Sequence, residues 1–196
     1  MATAFAEDKK KSAKKEAKPK AETLTIDTEA STIEWVGSKK MGDKHNGKIK
    51  LKDGKVEMKK GKVTGGNFTV DMATLSNDDL KDKPEYQGKL VTHLKSDDFF
   101  KVDQHPTSEF KITSVKEKDG KSIITGKLTM LGKTETLEFP AKIEDKDGVV
   151  TATGKVEVDR TKWGLTYGAG NIFKELTADK IINNNFELNF NLATKK

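Results

Sequence analysis

Apolar and polar residues alternate with a period of two along most of this chain from Thr23 onward. The stretch 67–72 shows the pattern, with Phe68, Val70 and Met72 separated by polar residues. The same alternation recurs at 137–143, 150–158 and 186–192. A period of two is typical of strands that bury one face. The pattern therefore predicts an all-β domain.

Roughly eight strands are predicted from these runs and their boundaries. They cover 24–27, 32–38, 47–51, 56–72, 109–116, 122–130, 134–144 with 149–159, and 181–192. Asp-Gly pairs at 53–54, 119–120 and 147–148 each separate two runs, and Asp-Gly favours tight hairpin turns. We therefore expect antiparallel neighbours.

One helix interrupts the strands. Segment 85–95 follows Pro84 and places Tyr86, Leu90 and Leu94 at a spacing of four residues, on one helical face. The sequence thus predicts a short helical insertion in a β domain.

Two architectures fit so many antiparallel strands, a sandwich and a closed barrel, and closure removes exposed strand edges. Small residues stand within the apolar rows at Gly126, Ala152 and Gly154. They would leave a hollow interior if the wall is underfilled, or they mark bends in a packed core. The residues alone leave both interpretations open.

The net charge of +6 is concentrated at the beginning of the chain. Residues 1–20 carry seven lysines and three carboxylates, and Arg160 is the sole arginine of the protein. Proteins that read nucleic-acid sequence generally use arginine forks, so we expect no nucleic-acid partner. The absence of cysteine excludes disulfides and thiolate chemistry.

The first 22 residues differ in composition from the rest. Ala4-Phe5-Ala6 has the small-x-small form of a signal-peptidase site, so residues 1–6 are interpreted as a signal-peptide remnant. Residues 7–22 are rich in Lys, Ala and Glu and predict a disordered basic linker. Such a tail would make weak contact with anionic membrane surfaces. The folded domain is expected at 23–196.

The polar residues predict no catalytic or metal site. His45, His93 and His105 are not spaced as metal ligands, and no phosphate loop, dinucleotide fingerprint or nucleophile elbow is present. We therefore expect neither an enzyme nor a cofactor. A metal-dependent enzyme would require His45 and His93 to converge.

An ordered set of residues carries a family resemblance. The set comprises Trp35, His45 with Gly47, His93-Leu94-x-Ser96-x-Asp98-Phe99-Phe100, His105-Pro106, Phe110, Gly126-Lys127-Leu128-Thr129, Gly132, and Arg160-x-x-Trp163-Gly164. In these residues, over about 23–192, the chain resembles the YceI-like family of lipocalin-like, polyisoprenoid-binding proteins. The resemblance implies an eight-stranded antiparallel lipocalin-like barrel with a helical insertion. It also implies a bacterial periplasmic or secreted protein that binds a long-chain isoprenoid or quinone-like lipid and catalyses nothing.

Candidate binding residues follow from the inward apolar rows and the resemblance. The expected tunnel wall comprises Trp35, Phe68, Val70, Met72, Phe110, Ile112, Leu128, Met130, Phe139, Val156, Phe186 and Phe190. The candidate mouth residues are His45, His93, Arg160 and Trp163. The alternative function is a structural or interaction module with a packed barrel and a basic surface-binding tail. Self-association as a homodimer stays open at this stage.

Overall fold

The fold comprises nine strands and one α-helix within residues 22–196, the part of the chain that the computed structural model describes. The signal-peptide remnant predicted at 1–6 and nearly all of the predicted linker at 7–22 lie outside the described residues. The strands are Glu22–Thr25 (β1), Thr32–Ser38 (β2), Lys44–Lys59 (β3), Lys62–Asp71 (β4), Thr107–Lys118 (β5), Lys121–Met130 (β6), Lys133–Lys146 (β7), Val149–Asp159 (β8) and Asn185–Ala193 (β9).

Eight of these strands close into an antiparallel barrel. The hydrogen-bonded order is β3-β2-β9-β8-β7-β6-β5-β4, and β4 pairs back with β3. The short β1 pairs with the second half of β3. Ile26, just after β1, forms a bridge with Thr194, just after β9. β1 therefore lies between β3 and β9, as β2 does further along the same two strands. The predicted barrel is thereby confirmed over the sandwich.

The barrel has two different ends. At the hairpin end, two-residue turns join β3 to β4, β5 to β6, and β7 to β8. At the capped end lie the longer segments 39–43, 72–106 and 160–184, which include the helix and two short 3-10 turns, Met72–Thr74 and Arg160–Trp163. Side chains from these segments therefore close one end of the bore.

Two of the three predicted Asp-Gly turns are confirmed. Asp119-Gly120 and Asp147-Gly148 have φ angles of 51° and 74°, and of 54° and 82°, which suit tight hairpin turns. The prediction for Asp53-Gly54 is wrong, because both residues lie inside β3 beside a bulge and Gly54 pairs with Phe68. The turn instead falls at Lys60-Gly61, where φ is 53° and 71°.

Gly54 serves close packing in place of a turn. A Cβ on Gly54 would lie 2.9 Å from Ile26 Cγ1 and 3.1 Å from Phe68 Cδ1. Any larger residue would push these two core side chains away. Gly54, which the sequence pattern predicts as a turn residue, is therefore required because Ile26 and Phe68 pack closely against its Cα.

The α-helix (α1) runs over Pro84–Lys95, as predicted, with proline in its first turn. Its apolar face differs from the prediction, because Tyr86 is 63% exposed and only the last turn, through Leu94, packs against the core. Within residues 22–196 no helix has both the length and the apolar character that a membrane span requires.

The core divides along the barrel axis. Towards the capped end, Phe99, Val158, Trp163 and Leu165 pack into one buried cluster. A neighbouring cluster contains Trp35, Ile49, Met72, Leu75 and Val102. Towards the hairpin end, the buried cluster of Ile26, Leu51, Val56, Met58, Phe68 and Val150 surrounds a cavity. The fold thus plugs one end of the bore and leaves space in the remainder.

Candidate ligand-binding cavity

An apolar cavity of about 150 Å³ lies inside the barrel, in its middle and hairpin half. Its 21 lining residues are all Ala, Ile, Leu, Phe or Val. They are Ile26, Ile33, Leu51, Val56, Val63, Phe68, Val70, Phe110, Ile112, Ile124, Leu128, Leu137, Phe139, Ala141, Ile143, Val150, Ala152, Val156, Leu188, Phe190 and Leu192. Such a wall offers a guest dispersion contacts and removal from water.

The chemistry of this wall restricts its guest. Among the described residues that line the cavity, none carries a charged, hydroxyl or amide side chain. A polar group buried there would lose its hydrogen bonds to water without replacement. The part of any ligand that enters the bore must therefore be hydrocarbon, and no acid, base or nucleophile of the wall could act on it.

Eight of the twelve residues expected in the tunnel wall lie on the cavity. They are Phe68, Val70, Phe110, Ile112, Leu128, Phe139, Val156 and Phe190. The other four, Trp35, Met72, Met130 and Phe186, face inward but belong to the packed clusters of the capped end. Their place as tunnel wall is corrected, because the cap segments fill that part of the bore.

Four phenylalanines form a row of neighbouring rings across the interior. The ring centroids are 6.5 Å apart between Phe68 and Phe110, and 5.6 Å apart between Phe110 and Phe139. Phe139 and Phe190 follow at 5.7 Å with an interplanar angle of 70°. These separations are typical of favourable tilted aromatic pairs. The row occupies much of the bore and sets its free volume.

Glycines in the wall leave the space into which these rings pack. A Cβ on Gly154 would lie 2.5 Å from Phe190 Cζ, and a Cβ on Gly126 would overlap the ring of Phe110. The aromatic rings therefore occupy the space that side chains at the glycine positions would take. At Gly126 and Gly154 the small residues make room for large neighbours, and Gly126 also lies opposite a bulge in β5. Ala152 lines the cavity, as expected for a hollow interior.

The closed barrel, the cap with its helix and the apolar bore agree with a comparison of the whole chain. The model of the YceI-like domain matches residues 24–194. The chain belongs to the YceI-like family. Among curated relatives, a UPF0312 protein of Pseudomonas aeruginosa is 33% identical over 84 residues, which cover 40% of this chain and 44% of that protein. A UPF0312 protein of Photorhabdus laumondii is also 33% identical, over 39% of its length.

Solved structures show the same fold as this YceI-like chain. BcnA of Burkholderia cenocepacia superposes with a TM-score of 0.68 at 23% identity, over 87% of this chain and 99% of BcnA. A polyisoprenoid binding domain from Saccharophagus degradans, implicated in plant cell wall breakdown, superposes with a TM-score of 0.63 at 11% identity, over 88% and 97% of the chains. At these identities the likeness establishes architecture alone.

His45, a candidate mouth residue of this YceI-like domain, is part of a polar network outside the bore. His45 Nδ1 lies 2.8 Å from Asp79 Oδ2, and Asp79 also accepts from the Asn46 backbone N–H and the Asn77 side chain. Burial alone would raise the pKa of Asp79, but these hydrogen bonds outweigh it and lower that pKa below its ordinary value. The network attaches the segment after β4 to β3.

His93, near the end of α1, lies apart from His45 in a different environment. Its Nε2 is 3.1 Å from Asp98 Oδ2, and its ring packs edge-on against Phe99 and Tyr167 at 5.0 and 4.9 Å. His45 and His93 thus pair with different carboxylates. Within residues 22–196 no group of three or more potential metal-ligating side chains comes together.

Arg160 and Trp163, the other candidate mouth residues, are buried in the cap. Arg160 is 4% exposed and donates to the backbone carbonyls of Leu165, Ile182 and Asn183 at 2.6, 3.1 and 3.0 Å. Trp163 is 1% exposed and donates through Nε1 to the Leu128 carbonyl at 3.1 Å. The placement at an opening is corrected, because Arg160 ties the segment 160–184 together and Trp163 joins that segment to β6.

Thirteen wall residues were absent from the sequence-based set. Several of them, such as Leu137, Ile143, Val150 and Leu192, belong to the same alternating rows and had a detectable signal. Ile26 gave a weaker signal, because the predicted strand at 24–27 contains only two alternating apolar residues, Leu24 and Ile26. The alternating pattern shows which residues face inward, but not where along the bore each of them lies.

A second, larger pocket of about 680 Å³ lies on the outer surface beside β2 and β9. Its lining is mostly polar and includes Lys40, Lys44, Glu157, Asn171 and Glu187. The pocket lies between the segment 39–43 and the segment 160–184, so these two parts of the cap are neighbours in space.

Proposed function

We propose that this YceI-like protein binds a long-chain isoprenoid lipid or quinone-like amphiphile and stores or transports it outside the cytoplasm. The observation that carries the proposal is the cavity whose 21 lining residues are all apolar. The fold shared with a polyisoprenoid binding domain supports the class of ligand. Export is supported by the cleavage-site pattern Ala4-Phe5-Ala6.

The size of the cavity defines what binding requires. An engineered apolar cavity of about 150 Å³ in another protein admits benzene, so the free space here matches about one isoprene unit of five carbons. At ~0.8 kcal/mol per carbon, one unit contributes roughly 4 kcal/mol, whereas association costs about 4 to 15 kcal/mol. Four or five units must be enclosed for useful affinity.

The side chains that must move when a longer ligand enters are those of the phenylalanine row, Phe68, Phe110, Phe139 and Phe190. Aromatic rings turn about two side-chain torsions, while the backbone at each of the four positions is hydrogen-bonded to a neighbouring strand. We therefore propose that a prenyl chain enters by displacing these rings towards the wall. Selectivity would then follow chain length and shape more than head group.

The proposal is tested by ligand extraction and by a substitution that blocks the bore. Purified full-length protein from a bacterial host is extracted with organic solvent and analysed by mass spectrometry, and its affinity for a prenylated quinone is measured by titration. Leu128→Trp places an indole in the cavity, while Lys127→Trp, one residue earlier on the outer face, is the matched control.

We expect Leu128→Trp to weaken prenyl-quinone binding by about tenfold or more, equivalent to about 1.4 kcal/mol, and Lys127→Trp to bind as the original chain does. Far-ultraviolet circular dichroism confirms that both variants fold. Equal binding by the two variants would refute the barrel interior as the site, and empty extracts together with no binding would refute lipid carriage.

The second candidate function is a packed-barrel structural or interaction module with a basic tail. The observation that favours it is the small free volume left by the phenylalanine row. In this case the protein would reject prenyl quinones of every length. The same titration therefore separates the two candidates.

A further inference from the structure

Exposed large hydrophobic side chains are confined to the capped end of the described structure. Met41 is 62% exposed, Ile172 47%, Tyr167 44% and Phe173 38%. Tyr86, at the start of α1, is the fifth such residue. In the described part of the chain, the barrel wall and the hairpin end carry none. An apolar surface that is concentrated in this way is typical of an interaction site.

Four of these residues belong to two cap segments that are tied together. The Lys40 backbone N–H donates to the Ile181 carbonyl at 2.8 Å, and the Asn183 side chain donates to Ser38 Oγ and to the Lys39 carbonyl at 2.8 and 3.2 Å. These bonds hold the segment 39–43, with Met41, against the segment 160–184. We name the four exposed side chains of these two segments, Met41, Tyr167, Ile172 and Phe173, the apolar tip.

Hydrogen bonds and ring contacts to other residues of the cap fix the positions of Tyr167, Ile172 and Phe173. The backbone N–H groups of Ile172 and Phe173 both donate to the carbonyl of Ala169, which is fully buried. The Tyr167 ring packs against His93 and Phe99 at 4.9 and 5.2 Å. The exposed side chains are therefore presented on a fixed base.

Charge is distributed unevenly over the cap. The segments that carry the apolar tip, 39–44 and 161–184, contain six lysines and three carboxylates. The segments 75–83 and 96–106 contain three lysines and six aspartates. The lysines of the two segments that carry the tip are Lys39, Lys40, Lys44, Lys162, Lys174 and Lys180. These two segments are thus net basic, while the segments 75–83 and 96–106 are net acidic.

We propose that the apolar tip and the lysines of the two segments that carry it dock on an anionic phospholipid bilayer. Tyr suits the headgroup level, while Ile, Phe and Met suit the acyl boundary below it. Lysines close to an anionic surface gain electrostatic attraction that salt screens. The two segments that carry the tip supply both contributions.

Docking on a bilayer is independent of the proposed cargo. It uses outward side chains of the cap, none of which lines the apolar cavity. Vesicle binding is therefore measured with the full chain and vesicles that contain no isoprenoid. Leu128→Trp, which fills the bore, is expected to bind such vesicles normally, so failure of carriage and failure of docking give different results.

The test is co-sedimentation with phosphatidylglycerol–phosphatidylcholine vesicles and with vesicles of phosphatidylcholine alone. Ile172→Ser with Phe173→Ser removes apolar area from the tip, and Tyr86→Ser, at an exposed position near the start of α1, is its control. Lys40→Glu with Lys174→Glu reverses charge beside the tip, and Lys118→Glu with Lys121→Glu makes the same net change at the hairpin end. The basic tail is present in all variants, so its contribution is constant.

We expect both tip variants to bind the anionic vesicles at least about fivefold more weakly, with each control within about twofold of the original chain. Phe173→Trp should shift its fluorescence to shorter wavelength on these vesicles. Equal losses in the tip and control pairs would overturn the proposal in favour of attraction through net charge. Self-association that Ile172→Ser abolishes, without vesicle binding, would overturn it in favour of a contact between copies.

Discussion

At the scale of single residues, Arg160 shows how a charged side chain can serve the fold. Its guanidinium is surrounded by three carbonyls of the segment 160–184, the segment that carries part of the cap. Burial lowers the pKa of Arg160, and the neighbouring carboxylate of Asp159 acts in the opposite direction. The planar fork satisfies several acceptors at once, which a lysine cannot do.

Replacement of Arg160 should loosen the cap. We expect Arg160→Met to lower the free energy of unfolding by about 3 kcal/mol or more, because charged hydrogen bonds are lost and buried carbonyls are left unpaired. Arg160→Lys should restore less than half of this loss. Urea denaturation followed by tryptophan fluorescence measures both. Full stability of the lysine variant would contradict the role assigned to the fork.

Also at the scale of single residues, the sequence does not show which phenylalanine packs against which glycine. Gly126 and Gly154 stood out as small residues in apolar rows. Their partners, Phe110 and Phe190, lie on adjacent strands that are distant in the chain. A single sequence records the missing side chain but not the ring that takes its place, because strand pairing decides which residues meet.

At the scale of elements, strand and helix boundaries followed local patterns well. The helix at Pro84–Lys95 and the strands around 122–130 and 149–159 were predicted closely. The errors lay in β3 and β4. β3 continues through Asp53-Gly54 because β4 and Ile26 pack along it. The turn at Lys60-Gly61 divides the run that was predicted as one strand over 56–72. Tertiary contact overrode a strong local turn signal at Asp53-Gly54.

The hairpin turn at Lys60-Gly61 allows a test of how much local backbone preference contributes to stability. Lys60 has a φ of 53°, a conformation that Asn adopts more easily than Lys. We expect Lys60→Asn to raise the free energy of unfolding by about 0.5 to 1 kcal/mol. Denaturant titration of the full chain provides the measurement.

Leu131 is the comparison for this turn. It has a φ of 52°, but its side chain packs against the core of the capped end. We expect Leu131→Asn to give no gain, because the lost packing offsets the improved backbone fit. A similar gain in both variants would show that the Leu131 contact contributes little.

At the scale of the whole molecule, the barrel is divided into a solid capped half and a hollow hairpin half. The phenylalanine row lines the cavity and limits the free volume to about 150 Å³. The size of the bore is therefore a property of how eight strands and their cap fit together. It is also the property on which the proposed carriage of lipid depends.

Shortening one ring of the row should widen the bore. We expect Phe110→Leu to lower the free energy of unfolding by about 1 to 2 kcal/mol, less than the loss typical of Phe→Ala. It should also raise the affinity for a prenyl quinone, because less displacement is needed. Phe99→Leu, in the packed cap, should cost similar stability without any gain in affinity. Titration and urea denaturation compare the two variants, and equal affinities would contradict gating by the row.

The sequence by itself determined the all-β class, most element boundaries, the short helix and which residues face inward. These properties depend on neighbours a few positions apart, so hydrophobic period and turn residues suffice to predict them. Only the tertiary structure decided that the capped half is filled, that Arg160 and Trp163 are buried, and that the exposed large apolar side chains of the described residues lie at the capped end. Each of these depends on contacts between segments far apart in the chain, which closure of the barrel alone brings together.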